Sequence, residues 1–188
     1  MKKAVILHGT DGNPGANWLP WVKNQLVEYG YDVWIPLLPE NHTPNRYIYD
    51  KFLKESGWDF TNNLLVGHSS GATAVLNLLQ CEWLPKVDTV ILVGTFLNEK
   101  LLEGVSWYEP GQFDNLFPEK LDIELIKNKA KNFYFNHGDD DPYCDTNDAR
   151  KLSEELSGKF IAVPGGKHLS SNLTELPEIL PILEEISS

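Results

Sequence analysis

The stretch that decides the fold is "LLVGHSSGATAVLNLL", residues 64–79. It begins with a short apolar segment, passes a pair of serines between two glycines, and continues in a helical pattern of apolar residues. A sharp turn from a strand into a helix needs small residues beside its apex, and Gly67 and Gly71 meet that need around Ser69. The G-x-S-x-G pattern therefore predicts a strand, a tight turn that exposes a serine hydroxyl, and a helix.

The second serine of the pair is the rival for the apex of this turn. Ser70 has His68 and Ala72 at the flanking positions, so the glycine spacing favours Ser69. The alternative is a purely structural role, in which the Ser69 side chain only caps the following helix. Chemistry at this turn therefore needs partners from elsewhere in the chain.

The rest of the chain alternates short β-branched runs with longer helical patterns, which is typical of βαβ units. Strands are predicted at residues 3–8, 32–37, 63–68, 88–94, 132–137 and 159–164. Helices are predicted at residues 17–30, 45–55, 70–80, 119–129, 146–157 and 176–186. The sequence thus predicts an α/β fold: a three-layer, doubly wound sheet of about six parallel strands with helices on both faces.

The length of 188 residues fits one domain, so residues 1–188 are predicted to form a single unit. One segment, residues 96–117, is long, aromatic and without a clear period. Such an excursion above a sheet is either a lid or pocket wall, or simply a well-packed connection.

Composition limits the classes of partner. The formal net charge of −11 disfavours nucleic acid and anionic membrane surfaces, because both are bound through Lys and Arg. No apolar stretch approaches the length of a membrane span. Cys81 and Cys144 lack the close spacing of metal or redox motifs, which predicts free thiols and a cytoplasmic location. No cofactor and no metal are predicted.

A serine nucleophile needs a base, and the base needs a carboxylate that orients it. After the fifth predicted strand, "HGDDDPYC" offers Asp139, Asp140 and Asp141; after the sixth, "GGKHLS" offers His168. The chain order Ser, Asp, His is that of α/β-hydrolases. Pro142 restrains the residue before it to extended geometry, which favours Asp141 as the acid and leaves the other two as turn caps.

Two further groups of residues are predicted around this site. An oxyanion needs two backbone N–H donors, one after the nucleophile and one after the first strand, and these fall at Ser70 and Thr10. Aromatic side chains in the strand-end loops or in the segment 96–117 are candidates for an apolar acyl pocket, although aromatics in such places are more often core residues. They are Trp18, Trp107, Tyr108 and Tyr143.

With these motifs in view, the chain resembles the α/β-hydrolase superfamily, and within it the compact branch of retinoblastoma-binding-protein-nine-like serine hydrolases. The resemblance rests on an opening "VILHG" strand, a tryptophan-bearing helix, "VGHSSGA", a "DDP" acid turn and a late histidine. Members of this branch lack the first strands of the full superfamily sheet, in agreement with six predicted strands. The resemblance implies Ser69 as nucleophile, Asp141 as acid and His168 as base.

Two features depart from the family pattern. Lys167 stands between Gly166 and His168, where the superfamily often has glycine directly before histidine. The branch is named for a partner that recognises L-x-C-x-E, but residues 79–83 read Leu-Gln-Cys-Glu-Trp, with the acid one position early. That partner is therefore not predicted.

The leading hypothesis is a cytoplasmic serine hydrolase that cleaves an ester, thioester or amide of a small-molecule or peptide acyl substrate through an acyl-enzyme. The alternative is a protein-binding module on the same fold, with little or no catalysis and an unidentified partner. A third hypothesis, a metal hydrolase built on His137, Asp139 and Asp141, is disfavoured because catalytic metal ligands are held on rigid elements.

Overall fold

The structure, a computed structural model, describes residues 2–170 and 173–187. The strands are β1 (Lys2–Leu7), β2 (Tyr31–Trp34), β3 (Leu64–His68), β4 (Val87–Val93), β5 (Ala130–Gly138) and β6 (Lys159–Val163). The helices are α1 (Leu19–Glu28), α2 (Arg46–Glu55), α3 (Ser70–Leu79), α4 (Ile123–Lys129), α5 (Thr146–Glu155) and α6 (Leu180–Ser187), with a 3₁₀ turn at Pro177–Ile179.

All six strands are parallel and lie in the order β2-β1-β3-β4-β5-β6. The predicted doubly wound α/β sheet is confirmed. Because β2 lies on one side of β1 and β3 on the other, the chain reverses direction across the sheet at this point. In open parallel sheets a ligand crevice forms at such a reversal, beyond the carboxyl ends of the strands.

The alternation of side chains along each strand divides the core into two layers. In β1, Val5 and Leu7 face the side covered by α2, α3 and α5, whereas Ala4 and Ile6 face the side covered by α1 and α6. All four side chains are buried, so both faces of the sheet are covered. This burial on both faces is the physical reason that the strands read as continuous apolar runs.

Two of the boundaries that differ from the prediction have a clear physical reason. β2 ends at Trp34 instead of residue 37, and Pro36 has no N–H with which to continue the ladder. α4 begins at Ile123 instead of residue 119, because the Asp122 carboxylate accepts a hydrogen bond from Leu125 N at 2.9 Å and caps the helix there. None of the helices in the described residues is long and apolar enough to cross a membrane.

Residues 96–117 form a small cluster of their own above the sheet. Phe96, Leu102, Phe113 and Leu116 are buried together, and Cys144 belongs to the same cluster. Several contacts attach the segment to the rest of the fold; among them, Asn77 Nδ2 donates to Leu116 O at 2.8 Å and Gln112 Nε2 donates to His42 O at 2.7 Å.

Candidate active site

Ser69 lies at the turn between β3 and α3, in a backbone conformation that side chains rarely adopt. Its φ is 57° and its ψ is −124°, and its N–H donates to Val93 O at 2.9 Å. The turn packs so closely on β1 that a Cβ on Gly71 would overlap the carbonyl oxygens of Leu7 and His8. Close packing of this turn on β1 holds Ser69 in its strained backbone conformation. That conformation places the Ser69 side chain at the edge of the crevice.

The Ser69 hydroxyl meets an imidazole from the other end of the chain. Ser69 Oγ lies 2.8 Å from His168 Nε2, and His168 Nδ1 lies 2.9 Å from Asp141 Oδ2. The imidazole approaches β4 where Gly94 has a φ of 53°, and a Cβ on Gly94 would lie 3.2 Å from His168 Nδ1. The three side chains predicted from the sequence are thus in one continuous hydrogen-bonded line.

The other oxygen of the Asp141 carboxylate is fixed by backbone N–H groups. Oδ1 accepts from Tyr143 N at 2.9 Å and from Cys144 N at 3.0 Å. Burial pushes the pKa of Asp141 upward, but the hydrogen bond and charge of His168, the Tyr143 N–H and the charge of His137 outweigh burial, so the pKa lies below its usual value. The carboxylate is therefore ionised at neutral pH.

The tautomer of the neutral His168 ring follows from its hydrogen bond with this carboxylate. An ionised carboxylate only accepts hydrogen bonds, so His168 Nδ1 carries the ring proton and donates it to Asp141. His168 Nε2 is then left with a lone pair that accepts the hydrogen bond of the Ser69 hydroxyl. This is the arrangement in which an imidazole can take a proton from a serine.

The other two aspartates of the acid turn hold the loop that carries the histidine. Asp139 Oδ1 accepts from Gly165 N at 2.8 Å, and Asp140 Oδ1 accepts from Lys167 N at 2.7 Å. The two carboxylates thus cap the loop that carries His168, whereas the sequence predicted that they would cap their own turn. Lys167, the residue that departs from the family pattern, adopts a φ of 50° in this loop.

Two buried side chains, those of His68 and Trp18, donate hydrogen bonds to the backbone around His168 and fix it in place. His68 Nε2 donates to His168 O at 3.0 Å, and Trp18 Nε1 donates to Leu169 O at 2.7 Å. The rings of Trp18 and His68 also meet edge to face, with centroids 5.4 Å apart. This role of His68 was not predicted from the sequence, in which the only indication is a histidine directly before the serine pair.

The two residues predicted to supply the oxyanion donors, Thr10 and Ser70, lie next to each other. Thr10 follows β1, Ser70 begins α3, and their side-chain oxygens are 2.9 Å apart. The N–H groups in the first turn of a helix have no acceptor inside the helix, so the Ser70 N–H is available. The Thr10 loop is held by His8, whose Nε2 accepts from Leu38 N at 3.0 Å and whose Nδ1 donates to Gly9 O at 2.8 Å.

Burial keeps the histidines beneath the site neutral. Desolvation lowers the pKa of His68 to about 3 and lowers the pKa of His8 below its usual value. A histidine whose folded pKa lies below its unfolded value of about 6.5 adds stability that is present above that pH and is lost as the pH falls.

We expect this loss to be measurable through His8. Between about pH 6.5 and about pH 5, replacing His8 with glutamine should flatten the pH dependence of the free energy of unfolding by up to about 1.4 kcal/mol per pH unit. Urea denaturation at several pH values measures this slope. His42→Gln is the matched control, because the His42 side chain is 53% exposed. The prediction would be contradicted if the free energy of unfolding changed equally with pH in the unmodified protein, in His8→Gln and in His42→Gln.

A cavity of about 450 Å³ opens beside Ser69 and His168. One wall is aromatic and comes mainly from the excursion at residues 96–117, and the other is the loop after β1, which contributes Thr10 and Asp11. The aromatic wall consists of Phe96, Trp107, Phe113 and Tyr143. The Tyr143 ring also meets the His168 ring edge to face, with centroids 5.2 Å apart.

The structure places the predicted pocket aromatics in different surroundings. Trp107 and Tyr143 are among the side chains that line the cavity. Trp18 is fully buried in the core that α1 covers, and Tyr108 stacks on Phe113 at a centroid distance of 6.3 Å; neither lines the cavity. A second cavity, of about 290 Å³, lies beside α2 and α3 and contains none of Ser69, Asp141 or His168.

The residues of the metal hypothesis do not form one ligand set. His137 Nδ1 is 3.9 Å from Asp141 Oδ2, but the Asp139 carboxylate accepts from the backbone of Gly165. Among the residues described, a different group brings three ligating atoms within 4.8 Å of one another: Asp141, Cys144 and His168.

The six-stranded parallel sheet is that of the α/β-hydrolase fold class. The serine hydrolase family profile matches residues 4–185, and the chain belongs to this family. Both observations confirm the class of enzyme predicted from the sequence.

Individual relatives agree with this assignment. The protein YdeN of Bacillus subtilis (strain 168) is 27% identical in an alignment of 193 positions that covers 97% of this chain and 94% of that protein. Serine hydrolase RBBP9 of Rattus norvegicus is 22% identical in an alignment of 187 positions that covers 98% of this chain and 95% of that protein. The resemblance to the retinoblastoma-binding-protein-nine-like branch is thereby confirmed.

Solved structures show the same fold. The crystal structure of the ydeN gene product superposes with a TM-score of 0.87 at 23% identity, covering 99% of this chain and 98% of that one. The esterase domain of a Rhodothermus marinus protein gives a TM-score of 0.70 at 18% identity, covering 98% and 85%.

Proposed function

We propose that Ser69, His168 and Asp141 are the catalytic triad of this serine hydrolase, and that it cleaves an ester, thioester or amide through an acyl-enzyme. The observation that carries the proposal is the unbroken line of hydrogen bonds from Ser69 Oγ to His168 Nε2 at 2.8 Å and from His168 Nδ1 to Asp141 Oδ2 at 2.9 Å. Each group in that line is held by neighbours that do not take part in the chemistry.

The proposed reaction proceeds in two halves. Ser69 Oγ attacks the acyl carbon while its proton passes to His168 Nε2, and the imidazolium then protonates the leaving alcohol, thiol or amine. The acyl group remains on Ser69. Water attacks the acyl carbon with His168 again as base, and the acid is released as Ser69 regains its proton. Asp141 stays ionised throughout and stabilises the imidazolium.

Backbone groups are the proposed stabilisers of the tetrahedral intermediate. In this proposal the N–H groups of Thr10 and Ser70 donate to the oxygen on which the negative charge develops. Loss of one such donor typically costs about 3 kcal/mol of barrier. The contacts of His8 with Gly9 and Leu38 hold the Thr10 loop in place for this purpose.

The walls of the cavity suggest the class of substrate. Phe96, Trp107 and Phe113 offer an apolar surface to the acyl or leaving group of a small molecule or peptide. Asp11 lines the opposite wall, and a carboxylate there disfavours strongly anionic substrates. The esterase domain with the same fold is consistent with an ester as the bond that is cleaved.

We further propose that residues 1–188 form one domain in which the segment 96–117 is a pocket wall. Its own buried cluster and the amide contacts of Asn77 and Gln112 support a fixed wall. A cytoplasmic location is part of the same proposal, and it is supported by two free cysteines, Cys81 and Cys144.

Covalent labelling tests the nucleophile directly. A fluorophosphonate reacts with an activated serine, so we expect stoichiometric labelling and a modified peptide that contains Ser69 by mass spectrometry. A panel of neutral acyl esters and amides should then show turnover. A folded protein that resists the label would refute the triad. Labelling without turnover of any acyl compound would favour the alternative, a protein-binding module that retains an activated serine.

A further inference from the structure

A buried thiol lies directly behind the proposed catalytic base. Cys144 Sγ is 3.7 Å from His168 Nδ1, on the nitrogen that faces Asp141, and 3.4 Å from Gly94 O, to which the thiol donates. Cys144 and Asp141 are 2% and 8% exposed. The hydrolytic reaction has no use for a thiol at this place.

The three ligating atoms are spaced for a metal ion. A tetrahedral zinc site with Zn–S near 2.3 Å and Zn–N near 2.0 Å puts sulfur and nitrogen about 3.5 Å apart. The observed Sγ to Nδ1 distance is 3.7 Å. The distance from His168 Nδ1 to Asp141 Oδ2 is 2.9 Å. It must lengthen by about 0.4 Å to match the distance between a nitrogen and an oxygen ligand of a tetrahedral zinc ion.

The carboxylate can change partner without being released from its loop. Asp141 Oδ1 is held by the N–H groups of Tyr143 and Cys144, so Oδ2 alone would exchange the His168 proton for a metal. Thiolate and imidazole together select thiophilic cations such as Zn²⁺ and Cd²⁺ over Mg²⁺, which prefers oxygen ligands.

We propose that Asp141, Cys144 and His168 bind one Zn²⁺ or Cd²⁺ ion, and that this ion switches the hydrolase off. The inhibition rests on the proposed function, whereas the binding does not. When the ion binds, the Cys144 thiol loses its proton to solvent and a metal–sulfur bond forms. The proton on His168 Nδ1 is lost to solvent as the metal binds there, and one proton from solvent binds Nε2, so the ring stays neutral and the histidine releases no net proton. That nitrogen then donates to Ser69 Oγ and no longer accepts its proton.

Zinc titration of ester hydrolysis tests the inhibition. Zn²⁺ alone should abolish turnover and fluorophosphonate labelling with a slow onset, because the ligands are buried, and a chelator should restore both. Mg²⁺ should have no effect. Cys144→Ser should raise the apparent inhibition constant of Zn²⁺ at least about 100-fold. Removing a residue that only hydrogen-bonds to a metal ligand lowers metal affinity by up to about 100-fold, and removing a ligand itself should cost at least as much. Each variant is compared with its own metal-free rate.

Cys81→Ser is the matched control, because Cys81 lies beside the other cavity and shares no contact with His168. Its inhibition by Zn²⁺ should equal that of the unmodified protein. Cys144→Ala serves as a second variant if the serine is poorly tolerated. Equal inhibition of the Cys144 variants and the unmodified protein, or equal inhibition by Mg²⁺, would overturn the proposed site.

Calorimetry separates this proposal from the proposed function. Zn²⁺ titrated into the Ser69→Ala protein should bind one ion per chain and release protons, which are counted by repeating the titration in buffers of different ionisation enthalpy. Binding should be lost in the double variant that also carries Cys144→Ser. If the protein proves inactive on all acyl compounds, this titration still decides the metal site. Binding that survives the loss of Cys144 would refute it.

Discussion

Replacing Ser69 with alanine is expected to lower kcat for ester hydrolysis by about 10⁴- to 10⁶-fold, because the remaining groups offer no acceptor for the acyl group. Ser69 Oγ is the hydroxyl that lies 2.8 Å from His168 Nε2. Fluorophosphonate labelling should disappear in the same variant. Steady-state kinetics with a chromogenic acyl ester and mass spectrometry of the labelled protein measure the two effects.

The adjacent serine is the matched control for this experiment. Ser70→Ala removes one hydrogen bond, to Thr10 Oγ1 at 2.9 Å, and keeps the backbone N–H that is proposed to bind the oxyanion. The loss of one such bond corresponds to a rate change within about tenfold. If Ser70→Ala is as damaging as Ser69→Ala, or if Ser69→Ala is still labelled, the assignment of the nucleophile is wrong.

Replacing Asp141 with asparagine is expected to lower kcat by about 10⁴-fold while the protein stays folded. The asparagine oxygen can still accept from Tyr143 N and Cys144 N. An amide cannot hold the imidazole in the tautomer that leaves Nε2 free to accept a proton, and it does not stabilise an imidazolium. Kinetics at several pH values and an unfolding curve for each protein measure the loss and exclude a folding defect.

Asp139→Asn and Asp140→Asn are the controls for Asp141. Their side chains accept from Gly165 N and Lys167 N, and an asparagine oxygen can do the same. We expect both variants to stay within about tenfold of the original rate. A loss as large as that of Asp141→Asn in either would move the acid to that position.

The three consecutive aspartates differ in what a local sequence pattern indicates about them. The proline at position 142 favoured Asp141 as the acid, and in the structure Asp141 Oδ2 contacts His168 Nδ1; its catalytic role stays a prediction. The carboxylates of Asp139 and Asp140 instead hold the loop of His168, about 25 residues further along the chain. Contacts between two loops depend on the register of β5 beside β6, which a local pattern does not contain.

The aromatic residues that were predicted to line the pocket show the same limit of prediction from a local pattern. Trp18 and Tyr143 occur in predicted strand-end loops and Trp107 in the segment 96–117, and their residue types alone do not distinguish core from pocket. In the fold, Trp18 is directed into the core beneath His68, whereas Trp107 belongs to the excursion above the sheet. The catalytic roles of Ser69, Asp141 and His168 stay predictions until the variants are measured.

By itself the sequence determined the α/β class, the number of strands, the strained turn at Ser69 and the chain order of the three candidate residues. These features are local, because they depend on glycine spacing, apolar periodicity and residue type within a few positions. Only the tertiary structure decided which atoms meet: His168 with Ser69 across 99 positions, Trp18 with Leu169, and Cys144 behind the imidazole. Such contacts arise from the order of strands across the sheet, which brings distant loops to one edge.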